Sequence, residues 1–106
     1  MYSFCFYVPD NALEVVKDAV FAAGAGRIGK YDKCCWQVAG QGQFRPLSGS
    51  KPAIGQRDML ETVLEYRVEM VCEPISIRAA VEAMKAAHPY EEPAWHVVKI
   101  VTDLPG

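Results

Sequence analysis

No part of the chain approaches the roughly 20 consecutive apolar residues that a membrane-spanning helix needs. No basic stretch followed by an apolar run opens it either; strand-like sequence begins at Tyr2. Clustered positive charge is also missing. The 11 Lys and Arg residues are scattered among 13 Asp and Glu, for a net charge of −2. The densest basic groups, Arg27 with Lys30 and Lys33 and then Lys51 with Arg57, are diluted by glycines and acids. Binding to a phosphate backbone or an anionic membrane needs clustered cations, so neither nucleic acid nor membrane is expected as a partner. Four cysteines, Cys5, Cys34, Cys35 and Cys72, show no C-x-x-C spacing. Cys34 and Cys35 are neighbours in strand-like sequence, so they should point to opposite faces and are poorly placed to chelate one ion. Reduced thiols in the cytoplasm are the expectation.

What is present is enough for one compact domain: 106 residues, 51% of them hydrophobic. Tyr2, Phe4, Phe6 and Val8 alternate with Ser3, Cys5 and Tyr7, the period of a half-buried strand. Pro9 stops it. Asn11 and Glu14 have capping-box spacing, and Leu13, Val16, Val20 and Ala23 continue at helical intervals to Gly24. A second strand is expected around Asp32 to Ala39, followed by a long loop from Gly40 to Asp58, rich in Gly, Pro, Ser and Gln. The clearest strand runs from Leu60 to Cys72: Leu60, Leu64, Tyr66, Val68, Met70 and Cys72 face one way, Glu61, Glu65, Arg67 and Glu69 the other. Ser76 can cap a second helix with the buried stripe Ile77, Val81 and Met84, which Pro89 ends near His88. Trp95 to Thr102 supplies the last strand.

The order β-α-β-β-α-β predicts an α+β, ferredoxin-like fold, a four-stranded antiparallel sheet with two helices on one face. Its bare face would carry Cys5, Tyr7, Val63, Val71, Trp95, Val97 and Val101 among Glu65, Arg67, Glu69 and Lys99. So much apolar surface predicts burial against another subunit, in a homo-oligomer that is a dimer or a trimer.

Among the motifs, Gly24-Ala25-Gly26-Arg27-Ile28-Gly29 matches G-x-G-x-x-G by letter. In a dinucleotide site that run opens a helix; here it closes one, so it reads as a glycine-rich turn. The most informative segment is His88-Pro89-Tyr90-Glu91-Glu92-Pro93-Ala94. Two prolines stiffen the presentation of an imidazole, a phenol and two carboxylates. His88, Glu91, Glu92, His96 and more remotely Cys72 are candidate metal ligands, but their spacing brings no two onto one helical face. No metal or other cofactor is therefore expected, a divalent cation being the alternative. No Ser or Cys sits in a nucleophile-base arrangement.

Several blocks together are familiar. They are Phe6-Tyr7-Val8-Pro9, Gly24 to Gly29 with Tyr31 and Cys34, Gln43-Phe44-Arg45-Pro46, Gly49 to Gly55, Glu65-x-Arg67-x-Glu69, and Ala87 to Ala94. Taken together they resemble the inserted domain of the NGG-interacting-factor-three, or NIF-three-like, family. That resemblance implies a fold like PII signalling proteins and CutA over residues 1–106. It also implies that the family's two-metal cluster, carried by a larger domain, has no residues here to land on. Cys35-Trp36 departs from the family pattern. The expected function is a self-associating binding or regulatory module for a small molecule or protein, its candidate residues being His88, Tyr90, Glu91, Glu92, Arg27, Tyr31 and Arg45. The rivals are a CutA-type divalent-metal binder and a small hydrolase whose inter-subunit site uses Arg27, Arg45, His88 and Glu91.

Overall fold

The computed structural model describes residues 1–106. Strand β1 (Tyr2–Pro9) leads through a 3-10 turn (Asp10–Ala12) into helix α1 (Leu13–Ala22). Strands β2 (Trp36–Phe44) and β3 (Glu61–Cys72) follow, then helix α2 (Ile77–Ala87) and strand β4 (Trp95–Lys99). The sheet order is β2-β3-β1-β4, and every neighbouring pair is antiparallel. This is the α+β, ferredoxin-like arrangement that the order of elements implies.

Alternation in β1 decides which side becomes the core. Phe4, Phe6 and Val8 are fully buried, and their partners Met70, Val68 and Tyr66 on β3 extend the same face. Val16, Val20 and Phe21 of α1 and Ala80, Val81 and Met84 of α2 join that cluster, so both helices cover one side of the sheet. Each large side chain withdrawn from water contributes about 1.5–3 kcal/mol. Neither expected helix cap forms: Asn11 lies within the 3-10 turn, and Ser76 makes no side-chain bond to its helix. Backbone geometry ends α1 instead. Gly24 adopts φ +109°, donating to the Phe21 carbonyl while Ala25 donates to Val20, and Ala25 is buried. That is a Schellman closure, with glycine where a Cβ would meet the Ser76 side chain.

Three expectations need correction. First, β2 begins at Trp36 and runs to Phe44, through residues expected to be loop; Cys34 and Cys35 precede it. Gly40 and Gly42 have little strand preference, but they pair with Glu65 and Val63 on a strongly alternating β3, and the partner imposes the conformation. Secondly, β4 lies in the opposite register to the one expected. Val97 pairs with Phe4 and Trp95 with Phe6, which puts Trp95, Val97 and Lys99 on the helix side of the sheet. Trp95 meets Phe4 edge-on at 6.5 Å between ring centres and carries the Lys85 ammonium 5.0 Å above its own ring. Because Trp95, Val97 and Val98 are apolar on both faces, alternation alone does not select the register. Thirdly, Val101 lies beyond the end of β4.

The bare face is therefore built from Tyr7, Trp36, Val38, Val63, Val71 and Val98, with Arg67, Glu69 and His96 among them. Trp36 is 63% exposed and Val98 50%. Beyond the helix layer the β2–β3 hairpin continues as an arm, making the molecule 54 Å long against 25 and 24 Å across.

Replacing Phe6 by alanine should cost about 3–5 kcal/mol of stability, as for other buried aromatic-to-alanine truncations. Ile75→Ala, at a side chain 93% exposed, should fall within about 0.5 kcal/mol of the parent. Urea titration of the two variants beside the parent checks both values.

Candidate functional site

His88 is the first residue after α2, and the following proline holds it extended at φ −73°, ψ 138°. Its backbone N–H closes the helix on the Met84 carbonyl at 2.9 Å, while its ring turns inward to a buried position. The Tyr90 backbone N–H donates to Nδ1 at 3.1 Å, so the ring proton sits on Nε2, which donates to the Tyr7 carbonyl at 2.7 Å. Both nitrogens are thus used inside the chain. Burial drives the His88 pKa down, against an opposing pull from the Tyr7 carbonyl. The residue is a neutral clamp between the loop after α2 and β1.

That clamp positions Tyr90, whose ring lies 4.9 Å from the His88 ring and 6.1 Å from Phe44 at the end of β2. Glu91 then reaches across to the β2–β3 connection, its Oε1 accepting the Lys51 backbone N–H at 3.1 Å. The connection is folded on itself. Asp58 N–H donates to the Pro46 carbonyl at 2.6 Å, Ser50 Oγ to Leu47 at 2.6 Å, and Arg57 to the Ser50 carbonyl at 3.3 Å.

Between this folded loop, the 88–94 loop and the bare face of the sheet lies a cleft of about 420 Å³. Phe44, Pro46, Leu47 and Ile54 give it apolar walls; Tyr7 and Glu65 come from the sheet, and Arg45, Tyr90, Glu91 and Glu92 from the loops. Size and lining match a small-molecule cavity. Burial raises the Glu65 pKa. The Tyr90 pKa is raised too, first by burial and then by the Glu65 charge, and its hydroxyl oxygen is buried without a hydrogen-bond partner.

Four of the seven residues expected to form the site, Arg45, Tyr90, Glu91 and Glu92, line this cleft. His88 supports it from behind. Arg27 and Tyr31 do not reach it within one chain. They are exposed on the turn after α1, which is tied by the Gly26 N–H to the Val71 carbonyl at 2.9 Å, toward the far end of β3 from Glu65. His96 is exposed on the bare face, away from Glu91, and no three His, Cys, Asp or Glu side chains gather as a metal-binding group. Sequence reasoning missed Glu65 and Phe44. The available signal was that Glu65 is a carboxylate on the outward side of the clearly alternating β3, two residues from a cation.

No family model matches the chain. It is 53% identical over 96 residues to a Mycobacterium tuberculosis protein named GTP cyclohydrolase 1 type 2 homolog, covering 90% of this chain and 25% of that protein. A solved Bacillus cereus protein related to NIF3 superposes with a TM-score of 0.77 at 36% identity, over 91% of this chain and 24% of that one. CutA from Xylella fastidiosa superposes with a TM-score of 0.68 at 21% identity, over 98% and 86%, a likeness of fold. The chain spans about a quarter of the length of the curated relatives it matches. It is homologous to a segment of NIF3-related proteins, and its fold is CutA-like.

Stability should be highest above about pH 6.5, the unperturbed histidine value, and should fall as the pH drops through it. The sign follows from the lowered pKa of folded His88: the unfolded chain takes up the proton first, so acid favours unfolding. In a His88→Gln variant the thermal midpoint should be lower throughout, and its slope between about pH 5.5 and 7 should flatten relative to the parent. Parallel scans across that range check the difference.

Proposed function

We propose that this segment is a small-molecule-binding, self-associating module with no catalytic chemistry of its own. The observation that carries the reading is the cleft between the bare sheet face and the two folded loops, apolar-walled and ringed by a few convergent polar groups. A binding site needs rigid walls, and both loops have internal restraints: two prolines and the His88 clamp in one, a set of backbone bonds in the other. No Ser or Cys in the cleft stands beside a base, which supports binding over nucleophilic catalysis. The relatives' name refers to a cyclohydrolase, in proteins about four times as long; activity of that kind would need residues outside this segment.

Self-association follows from the bare face. Trp36, Val38 and Val98 are exposed large apolar side chains on one sheet surface, and such surfaces are usually covered. The 3.0 Å Arg67–Glu69 pair sets two opposite charges side by side on the same face, where they offset each other. Divalent-metal binding is the weaker reading, because His88 has no free ring nitrogen to offer.

Light scattering at micromolar concentration should give a small multiple of 11.7 kDa, and Trp36→Glu should lower it toward that value. A monomeric parent removes the self-association part of the proposal. A thermal-shift panel of nucleotides and common metabolites should raise the melting midpoint for at least one compound class, since a ligand bound only by the folded state stabilises it. No shift for any compound removes the binding part. Elemental analysis of tag-free protein should find no stoichiometric transition metal; near one zinc per chain, lost in His88→Ala, would favour the metal reading.

A further inference from the structure

Glu65 is a half-buried carboxylate that nothing in the chain neutralises. The two ion pairs of the protein lie elsewhere, Lys17 with Glu14 and Arg67 with Glu69. Arg67, two residues along the same strand and face, is already engaged. The Glu65 carboxylate instead lies across the neighbouring strand over Gly42, where a Cβ would collide with both of its oxygens. Glycine at position 42 therefore opens the seat in which the carboxylate rests. The Tyr90 hydroxyl stands near enough for Glu65 to affect its proton affinity, yet the two do not bond, and the buried oxygen has no partner. Leaving a buried hydroxyl or a partly desolvated carboxylate without a partner is unfavourable. Around them the cleft adds Glu91 and Glu92 against a single cation, Arg45.

We propose that the cleft takes a planar ligand with a paired N–H donor edge, of the amidinium, guanidinium or amino-heterocycle class, its edge on Glu65 and Tyr90 and its ring beside Phe44. This rests on the reading of the cleft as a binding site. Two N–H donors side by side match the two oxygens of a carboxylate, the strongest common pairing for such a group. A second acceptor at the Tyr90 hydroxyl suits a ligand richer in donors than in acceptors. The tilted Phe44 and Tyr90 rings offer faces to a flat, positively polarised ring. An anionic headgroup would meet three carboxylates.

The isosteric series benzamidine, benzamide and benzoate isolates the charge and donor count of the edge. Titrated into the whole chain and followed by backbone amide resonances, benzamidine should bind saturably and shift residues 43–47, 65 and 90–94. Benzamide should bind more weakly and benzoate not at all. Glu65→Gln should weaken benzamidine by about tenfold or more, the usual scale for losing a charge-assisted bond. Gly42→Ala, which moves the carboxylate without removing its charge, should weaken it too, with the amide spectrum otherwise retained. The inference is overturned if benzoate binds as well as benzamidine, if neither variant changes benzamidine affinity, or if none of the three binds. A hit in the metabolite panel with none of the three binding would overturn this ligand class and leave the binding module standing. Silence in both experiments would overturn the two together.

Discussion

The Tyr7 peptide unit is the joint on which the rest of the site depends. Its N–H donates to the Ala94 carbonyl at 3.1 Å, the last link before β4 begins, and its C=O accepts the His88 ring at 2.7 Å. A sheet strand would ordinarily satisfy both groups on one neighbour. Here β4 joins the sheet only at Trp95, opposite Phe6, and an imidazole takes the place of the missing strand beside the Tyr7 carbonyl. The substitution has consequences at two ranges. Locally it holds the His88 ring inward, where burial keeps it neutral against the pull of the Tyr7 carbonyl, and it places Tyr90 beside Phe44. Across the sheet, the Ala94 link sets the register that carries Trp95 and Val97 under the helices and leaves His96 and Val98 outside.

Histidine suits that joint because one ring both donates and accepts. Nε2 reaches Tyr7 while Nδ1 takes the Tyr90 N–H, two part-buried main-chain groups satisfied by one side chain. The flanking prolines reduce the entropy lost when the loop is ordered, so the clamp works against a smaller penalty than in a flexible segment. Glu91 extends the order outward to the Lys51 backbone, and the β2–β3 connection closes over the cleft from the other side. The walls are therefore coupled: a change at His88 loosens one loop, and through Glu91 it reaches the second.

Much of the fold was legible in the sequence because alternation was unambiguous where it mattered most. Phe4, Phe6 and Val8 in β1, and Val68, Met70 and Cys72 in β3, carry a strict period of two, and the helical stripes of Val16 with Val20 and Val81 with Met84 fall where expected. The errors fall where local pattern is silent. Gly40 and Gly42 carry no strand preference of their own and become strand only by pairing with β3. In β4 the sequence is apolar on both faces, and the register came from a hydrogen bond to a distant residue. The candidate site was half legible. The 88–94 segment stood out through its residue types, while Glu65 and Phe44 join it only through pairing and folding of a long loop.

A CutA-like backbone says little about what a protein holds, since one fold serves many sites. Function therefore shows in side chains whose presence the fold does not require. Gly42 and Glu65 both lie on the face that the helices leave bare, outside the core. The pairing found here, a glycine that makes room and a carboxylate that fills it without a counter-charge, adds nothing to the core. Partial burial raises the Glu65 pKa, so folding disfavours its charged form. A carboxylate so placed in a rigid cleft is the kind that ligand binding explains, because a donor on the ligand supplies the partner that the chain itself withholds.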